Sequence, residues 1–172
     1  DQTYIDFIKG GFKIGGVQIP NYLWITVAVT IVMWIIWNKT KLGKNMFAVG
    51  TNQEAAAVSG VNVAKTIILV FALAGITYGI SGFVESARIA SNSTATGVNY
   101  ELDAIAACVI GGVSFMGGIG KIRGVILGVF LLQIVNAGLV FLEFNPAAQT
   151  IVKGAIILFA CAMDMRKYIA KK

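Results

Sequence analysis

The stretch with the most obvious chemistry is Gly117-Gly-Ile-Gly-Lys-Ile-Arg-Gly124, whose glycines and lysine suggest a phosphate cradle. A P-loop needs a glycine five residues before its second glycine, and a Ser or Thr directly after its lysine. Phe115 and Ile122 occupy those two positions, and Arg123 breaks the alternative G-x-G-x-x-G spacing. The turn fails both patterns, and its glycines are read as helix-packing residues. The chain has no histidine, so imidazole acid–base chemistry, a Ser-His-Asp triad and histidine ligation of a metal are absent. Cys108 and Cys161 each lie alone in an apolar run and read as small buried side chains, not as a disulfide or metal pair. The carboxylates gather at the ends of apolar runs, where helix capping explains them. These residues predict no enzyme, no cofactor and no metal.

Polar groups inside the apolar runs offer a different chemistry, that of a path. Gln133 and Asn136 share one helix face by i,i+3 spacing. They either line a substrate path or hydrogen-bond neighbouring helices. Lys153 lies four residues inside its run, and an ionisable group there is costly and often functional. It lines a path, snorkels outward or pairs with Glu143.

A third candidate is Thr51-Asn-Gln-Glu-Ala-Ala-Ala-Val-Ser-Gly60, a polar segment between two long apolar runs. Thr51 and Glu54 have the S/T-x-x-E spacing of a capping box, and Gly60 suits a helix end that needs positive φ. The segment predicts a helix of about two turns, too short to hold itself in water. Ala55, Ala56 and Val58 give it a small apolar face, which rests either on its own chain or on another protein.

Composition says what positions these groups. Of the 172 residues, 57% are hydrophobic and 13% charged, with a mean hydropathy of +0.79; soluble domains carry about 25% charge. Too few polar residues are present to cover a globular surface, so this is a membrane protein. The net charge is +6, but its basic residues are not interleaved with aromatics as a nucleic-acid surface requires. The chain starts Asp1-Gln-Thr, without an initiator Met or signal-peptide pattern, and reads as a piece of a longer protein.

Five apolar runs stand out, predicting an all-α, polytopic helix bundle. Residues 1–21 read as an external loop with turns at Gly10-Gly11 and Gly15-Gly16, and residues 22–172 as the membrane domain. The first span is Tyr22–Trp37, with Tyr22 and Trp24 at one interface and Trp34 and Trp37 at the other. The second is Thr66–Val84, where Ala72, Gly75, Gly79 and Gly82 form a small-residue face, and Glu85 and Arg88 follow at pairing distance. The third, Leu102–Met116, is short and holds Gly111-Gly112, so it is a tilted crossing or a broken helix. The fourth, Ile122–Leu142, has a packing face of Gly120, Gly124 and Gly128. The fifth is Gln149–Met165.

Five crossings sort the loops into two sets. The 39–65 loop, the 117–123 turn and the C-terminal tail hold four, two and four basic residues, ten of fourteen; the other set holds Lys9, Lys13 and Arg88. By the positive-inside rule the ten are cytoplasmic, together with the C-terminus and the Thr51–Gly60 segment.

The residues 52–63 (Asn-Gln-Glu-Ala-Ala-Ala-Val-Ser-Gly-Val-Asn-Val), 100–114 (Tyr-Glu-Leu-Asp-Ala-Ile-Ala-Ala-Cys-Val-Ile-Gly-Gly-Val-Ser) and 153–158 (Lys-Gly-Ala-Ile-Ile-Leu) resemble motifs of the sugar-type ABC importer permeases. Galactose/methyl-galactoside permeases are the nearest resemblance, with ribose-type permeases next. The resemblance runs from about Asn38 onward, several motifs in order. It implies the C-terminal half of a bacterial cytoplasmic-membrane permease that translocates a monosaccharide. It also implies a second permease subunit in a homodimer, an ABC ATPase subunit and a periplasmic sugar-binding protein as partners, besides the lipid bilayer. Thr51, Asn52, Gln53, Glu54, Ala55, Ala56 and Gly60 then fall on the family's coupling segment, which docks into the ATPase. A permease for ribose, a nucleoside or a branched-chain amino acid is the alternative within transport. A scaffold subunit that transports nothing is the alternative outside it.

Overall fold

A computed structural model describes residues 2–14 and 17–169. The elements are α1 (Gln2–Lys9), β1 (Gly11–Ile14), β2 (Val17–Pro20), α2 (Asn21–Lys39), α3 (Lys41–Thr51), α4 (Gln53–Val58), α5 (Val63–Ile89), α6 (Tyr100–Ile110), α7 (Ile122–Phe141) and α8 (Pro146–Ile169). Among the described residues four helices are long and apolar enough to cross a membrane: α2, α5, α7 and α8 over Pro146–Arg166. Their large apolar side chains, such as Ile68, Phe71, Phe130, Leu158 and Phe159, point outward, as a bilayer solvent permits. The chain is an all-α, multi-pass membrane bundle. It divides into two compact units, Asp1–Met46 with Ala55–Thr96, and Phe47–Glu54 with Gly97–Lys172.

The first unit differs from the sequence expectation at its start. Residues 2–9, 11–14 and 17–20 carry regular structure. They form α1 and an antiparallel hairpin that pairs Gly11 with Pro20 and Ile14 with Val17. The expected Gly15-Gly16 turn lies outside the described residues. The run Phe12-Lys-Ile14, Val17-Gln-Ile19 alternates apolar and polar, the strand pattern that the glycine content conceals. Asn21 ties this cap to α2, since its Nδ2 donates to the Phe7 carbonyl at 2.7 Å, and Ile8 is fully buried.

Helix α2 has 19 residues, about 28 Å at 1.5 Å per residue, so it nearly matches a ~30 Å hydrocarbon core unaided. Lys39 Nζ sits 5.9 Å from the Trp34 ring centre, an interface anchor. Thr40 then ends α2 and starts α3. Its hydroxyl donates to the Ile36 carbonyl at 2.6 Å and accepts from Gly43 N–H at 3.2 Å. Asn62 starts α5 by accepting from Lys65 N–H at 2.9 Å. At 27 residues α5 outruns the predicted Thr66–Val84 span at both ends. The expected Glu85–Arg88 pair is present and bidentate, with Nε–Oε2 at 2.9 Å and Nη2–Oε1 at 2.8 Å.

In the second unit, α6 packs on α7 and α8. The third predicted span resolves as the broken alternative. It is α6, 11 residues long or about 16 Å, followed by an irregular stretch with Gly112, Gly117 and Gly118 at positive φ. Asp103 meets Lys153 and Ser114 meets Asp164, so α6 runs parallel to α8. Asp103, three residues after the start of α6, is level with Lys153, seven residues into α8 and about 10 Å along that helix. The core is Ala106, Ala107 and Leu132, flanked by Ile110 and Ile157.

Candidate functional site

The capping-box reading of Thr51 gives way to a different local structure. Thr51 is the last residue of α3, not the first cap of α4. Its hydroxyl donates back to the Phe47 carbonyl at 2.8 Å, a bond that competes with N-capping. Gly60 takes φ +84°. Gly60 N–H bonds to the Ala57 carbonyl and Val61 N–H to the Ala56 carbonyl, both at 3.0 Å. These two bonds make a Schellman end to α4. Asn52, Gln53, Glu54 and Ala55 are exposed, Ala56 is buried, and Val58 is 91% exposed. The α4 helix therefore presents carboxamide, carboxylate and one bare valine outward.

Within the second unit, the approach to this segment is held by backbone contact. A Cβ on Gly50 would meet Gly118 N, one on Gly117 would meet the Gly50 carbonyl, and one on Gly118 would meet the Thr51 side chain. The turn carrying Gly117 and Gly118 is itself fixed. Asp164 Oδ2 accepts from Ser114 Oγ at 2.6 Å and from Phe115 N–H at 3.0 Å. Ser114 Oγ accepts from Met116 N–H at 3.2 Å. Thr51, the 114–118 turn and the last turns of α8 thus meet at one end of this unit. Asp164 was invisible as a candidate because its partners are distant in sequence.

The polar residues inside the helices fall at the other end of α6. Lys153 Nζ approaches Asp103 Oδ1 to 2.6 Å, with side chains 15% and 31% exposed. The contact is a short ion pair without the alignment of a hydrogen bond, since Asp103 Oδ1 has no hydrogen-bond partner among the described residues. Asn136 Oδ1 is covered and likewise lacks such a partner. Gln133 is exposed on α7.

The glycines divide. Gly124 and Gly128 press on the backbone of Gly111 and Ala107, and Gly120 is buried. Gly75, Gly79 and Gly82 face open space, with no atom within 4 Å of an added Cβ. Among the described residues no group of three or more acidic or Cys side chains is placed to hold a metal.

Comparison with known proteins adds a family and relatives. A family model described as branched-chain amino acid transport system / permease component matches residues 2–161. The chain is 46% identical over 172 residues to the galactose/methyl galactoside import permease protein of Haemophilus influenzae, covering 99% of this chain and 51% of that protein. It is 42% identical over 154 residues to the L-arabinose transport system permease protein of Escherichia coli, covering 90% and 47%. It is 40% identical over 159 residues to the ribose import permease protein of Escherichia coli, covering 92% and 50%. The chain spans about half the length of these curated relatives. No solved structure matches it.

Proposed function

The chain belongs to the branched-chain amino acid transport system / permease component family, and from that premise we propose that it is part of a sugar-importing ABC permease of the bacterial cytoplasmic membrane. The observation that carries this reading is the 46% identity over 99% of the chain to a galactose/methyl galactoside permease. Galactose or methyl galactoside is accordingly the first solute. The arabinose and ribose relatives, at 42% and 40% identity, favour a pentose as the second.

The proposed mechanism is alternating access driven from outside the chain. Hydrolysis of ATP belongs to a partner ATPase. The exposed face of α4, with Gln53, Glu54 and Val58, suits a docking contact, because a six-residue helix is too short to be stable alone. Force on α4 would pass through Thr51 to the Gly117-Gly118 turn, and through Ser114 and Asp164 to α8. A periplasmic binding protein would deliver sugar to the opposite face, and a second permease subunit would complete the path as a homodimer. Gln133, Asn136 and Lys153 are the path candidates on this side of it.

Orientation rests on charge. Ten basic residues lie in the segments assigned to the cytoplasm, against three outside. The meeting of Thr51, the 114–118 turn and the end of α8 supports the same assignment, since these belong to the three basic segments.

Replacing Glu54 by Lys, or Gly60 by Val, in the full-length protein is expected to uncouple transport. The first reverses the charge on the exposed face, and the second forces a β-branched residue into the left-handed region. Sugar uptake should fall, and ATPase co-purification should weaken. Wild-type uptake with normal ATPase recovery would overturn the coupling role.

A further inference from the structure

Between the start of α2 and the end of α5, inside the first unit, lies a cavity of about 320 Å³. That is the lower end of the ~300–1,000 Å³ usual for small-molecule sites. Tyr22, Thr26 and Thr30 line one side, at i, i+4 and i+8 on one face of α2. Thr77, Ser81, Glu85 and Arg88 line the other, again on one helical face. Both threonines of α2, and two of the four Ser or Thr residues of α5, converge here. Elsewhere these helices are almost wholly apolar.

The hydroxyl protons have a fixed direction. Thr26 Oγ donates to the Tyr22 carbonyl at 2.9 Å, Thr30 Oγ to the Thr26 carbonyl at 2.8 Å and Thr77 Oγ to the Ala74 carbonyl at 2.8 Å. Their oxygens are left as acceptors on the cavity wall. At the mouth, Glu85 adds carboxylate acceptors and Arg88 adds guanidinium donors. The pair is neutral as a unit, so it selects against an ion. Ile25, Val29, Ile80 and Val84 supply apolar surface between the polar groups, and Tyr22 supplies an aromatic ring. A ligand that matches has many hydroxyls, no charge and patches of C–H.

We infer that this cleft is a binding station for a neutral monosaccharide, held by the threonine oxygens and the Glu85–Arg88 pair against Tyr22. It rests on the sugar-permease reading and deepens it by naming a stop on the route. By the charge count the cleft opens on the external side, where α2 begins and α5 ends.

The test uses the full-length permease with its ATPase and binding protein in liposomes. Other cysteines are replaced by serine. Thr30→Cys and Thr77→Cys are each labelled with a small impermeant thiol reagent, and Ser93→Cys in the exposed 91–99 segment is the control. Galactose, arabinose and ribose are tried in turn as the protecting sugar. Occupancy slows labelling by 1 + [L]/Kd, roughly tenfold at about nine times Kd. That slowing is expected at positions 30 and 77 for the sugar that wild-type protein takes up, and not at 93. Equal rates with and without a transported sugar overturn the inference. So does an absence of labelling at both positions, because a sugar-sized cleft admits the reagent. Protection that follows anionic lipid content instead of sugar also overturns it, and makes the cleft a lipid site. Failure of the wild-type assembly to import any of the three sugars would strike the permease reading itself, a separate outcome.

Discussion

Lys153 and Asp103 show how a pairing can be hidden from sequence. The acid nearest Lys153 along the chain is Glu143, which instead ends the turn after α7 at φ +55°. The real partner is brought in by the parallel run of α6 and α8 and sits one helix away. The Glu85–Arg88 pair was legible because its geometry is set by one helix turn alone. Removing Lys153 leaves a half-buried carboxylate without its cation. Fully buried pairs lose about 3–5 kcal/mol in this way, and the partial exposure here reduces that. Lys153→Ala is expected to cost about 1–3 kcal/mol, with Asp103→Ala similar and the double variant well below their sum. Thermal unfolding in detergent checks this, and additivity of the two would dissolve the pair. Asn136 predicts the opposite sign. Its covered Oδ1 lacks a partner among the described residues, a cost of about 1–3 kcal/mol, so Asn136→Leu should stabilise the fold. Loss of uptake alongside that gain would identify Asn136 as a residue kept for the solute.

At the scale of the elements, hydropathy located all four long helices, because a lipid solvent enforces runs of about 20 apolar residues. What it could not locate were pieces that answer to local hydrogen bonds. The α3 helix begins on the Thr40 hydroxyl, yet the capping pattern drew attention to Thr51, which ends that same helix. Nor does glycine spacing say which face finds a neighbour. The series Gly75, Gly79, Gly82 looks as suited to packing as Gly124 and Gly128, but among the described residues an added Cβ would meet another helix at the latter pair and nothing at the former three. The two faces should therefore respond differently to the same change. Gly128→Val drives a side chain into the Ala107 carbonyl and should cost about 1–3 kcal/mol, the range of overpacked cores. Gly79→Ala meets no atom and should be neutral or stabilise by about 0.5–1 kcal/mol, as alanine does within a helix. Unfolding midpoints of the two variants in detergent measure the contrast. Equal losses would mean that the α6–α7 contact does not set the packing.

For the whole molecule, the short α6 helix decides which way the chain faces. An 11-residue helix does not cross a bilayer, and counting only the four long helices would put the C-terminal charges on the same side as the hairpin. The second unit offers a different count. Asp103 in the first turn of α6 is level with Lys153, and the turn that follows α6 is tied to Asp164 near the far end of α8. Helix and turn together therefore run alongside α8 from Lys153 to Asp164. The Ser-, Thr- and Asn-rich residues 91–99 that lead into α6 are mostly exposed, as a loop outside the bilayer would be. On this account helix and turn complete a fifth crossing, and Thr51 shares a side with the 114–118 turn and the end of α8. Single cysteines at Asn52 and Gln53 in the full-length protein should then resist an impermeant thiol reagent applied to intact cells, while one at Ser93 reacts. Lysis followed by removal of the ATPase should make positions 52 and 53 react, since both residues are exposed in this chain by itself. Ready labelling of 52 and 53 before lysis would reverse the orientation, and α4 would be left on the side where no ATPase reaches it.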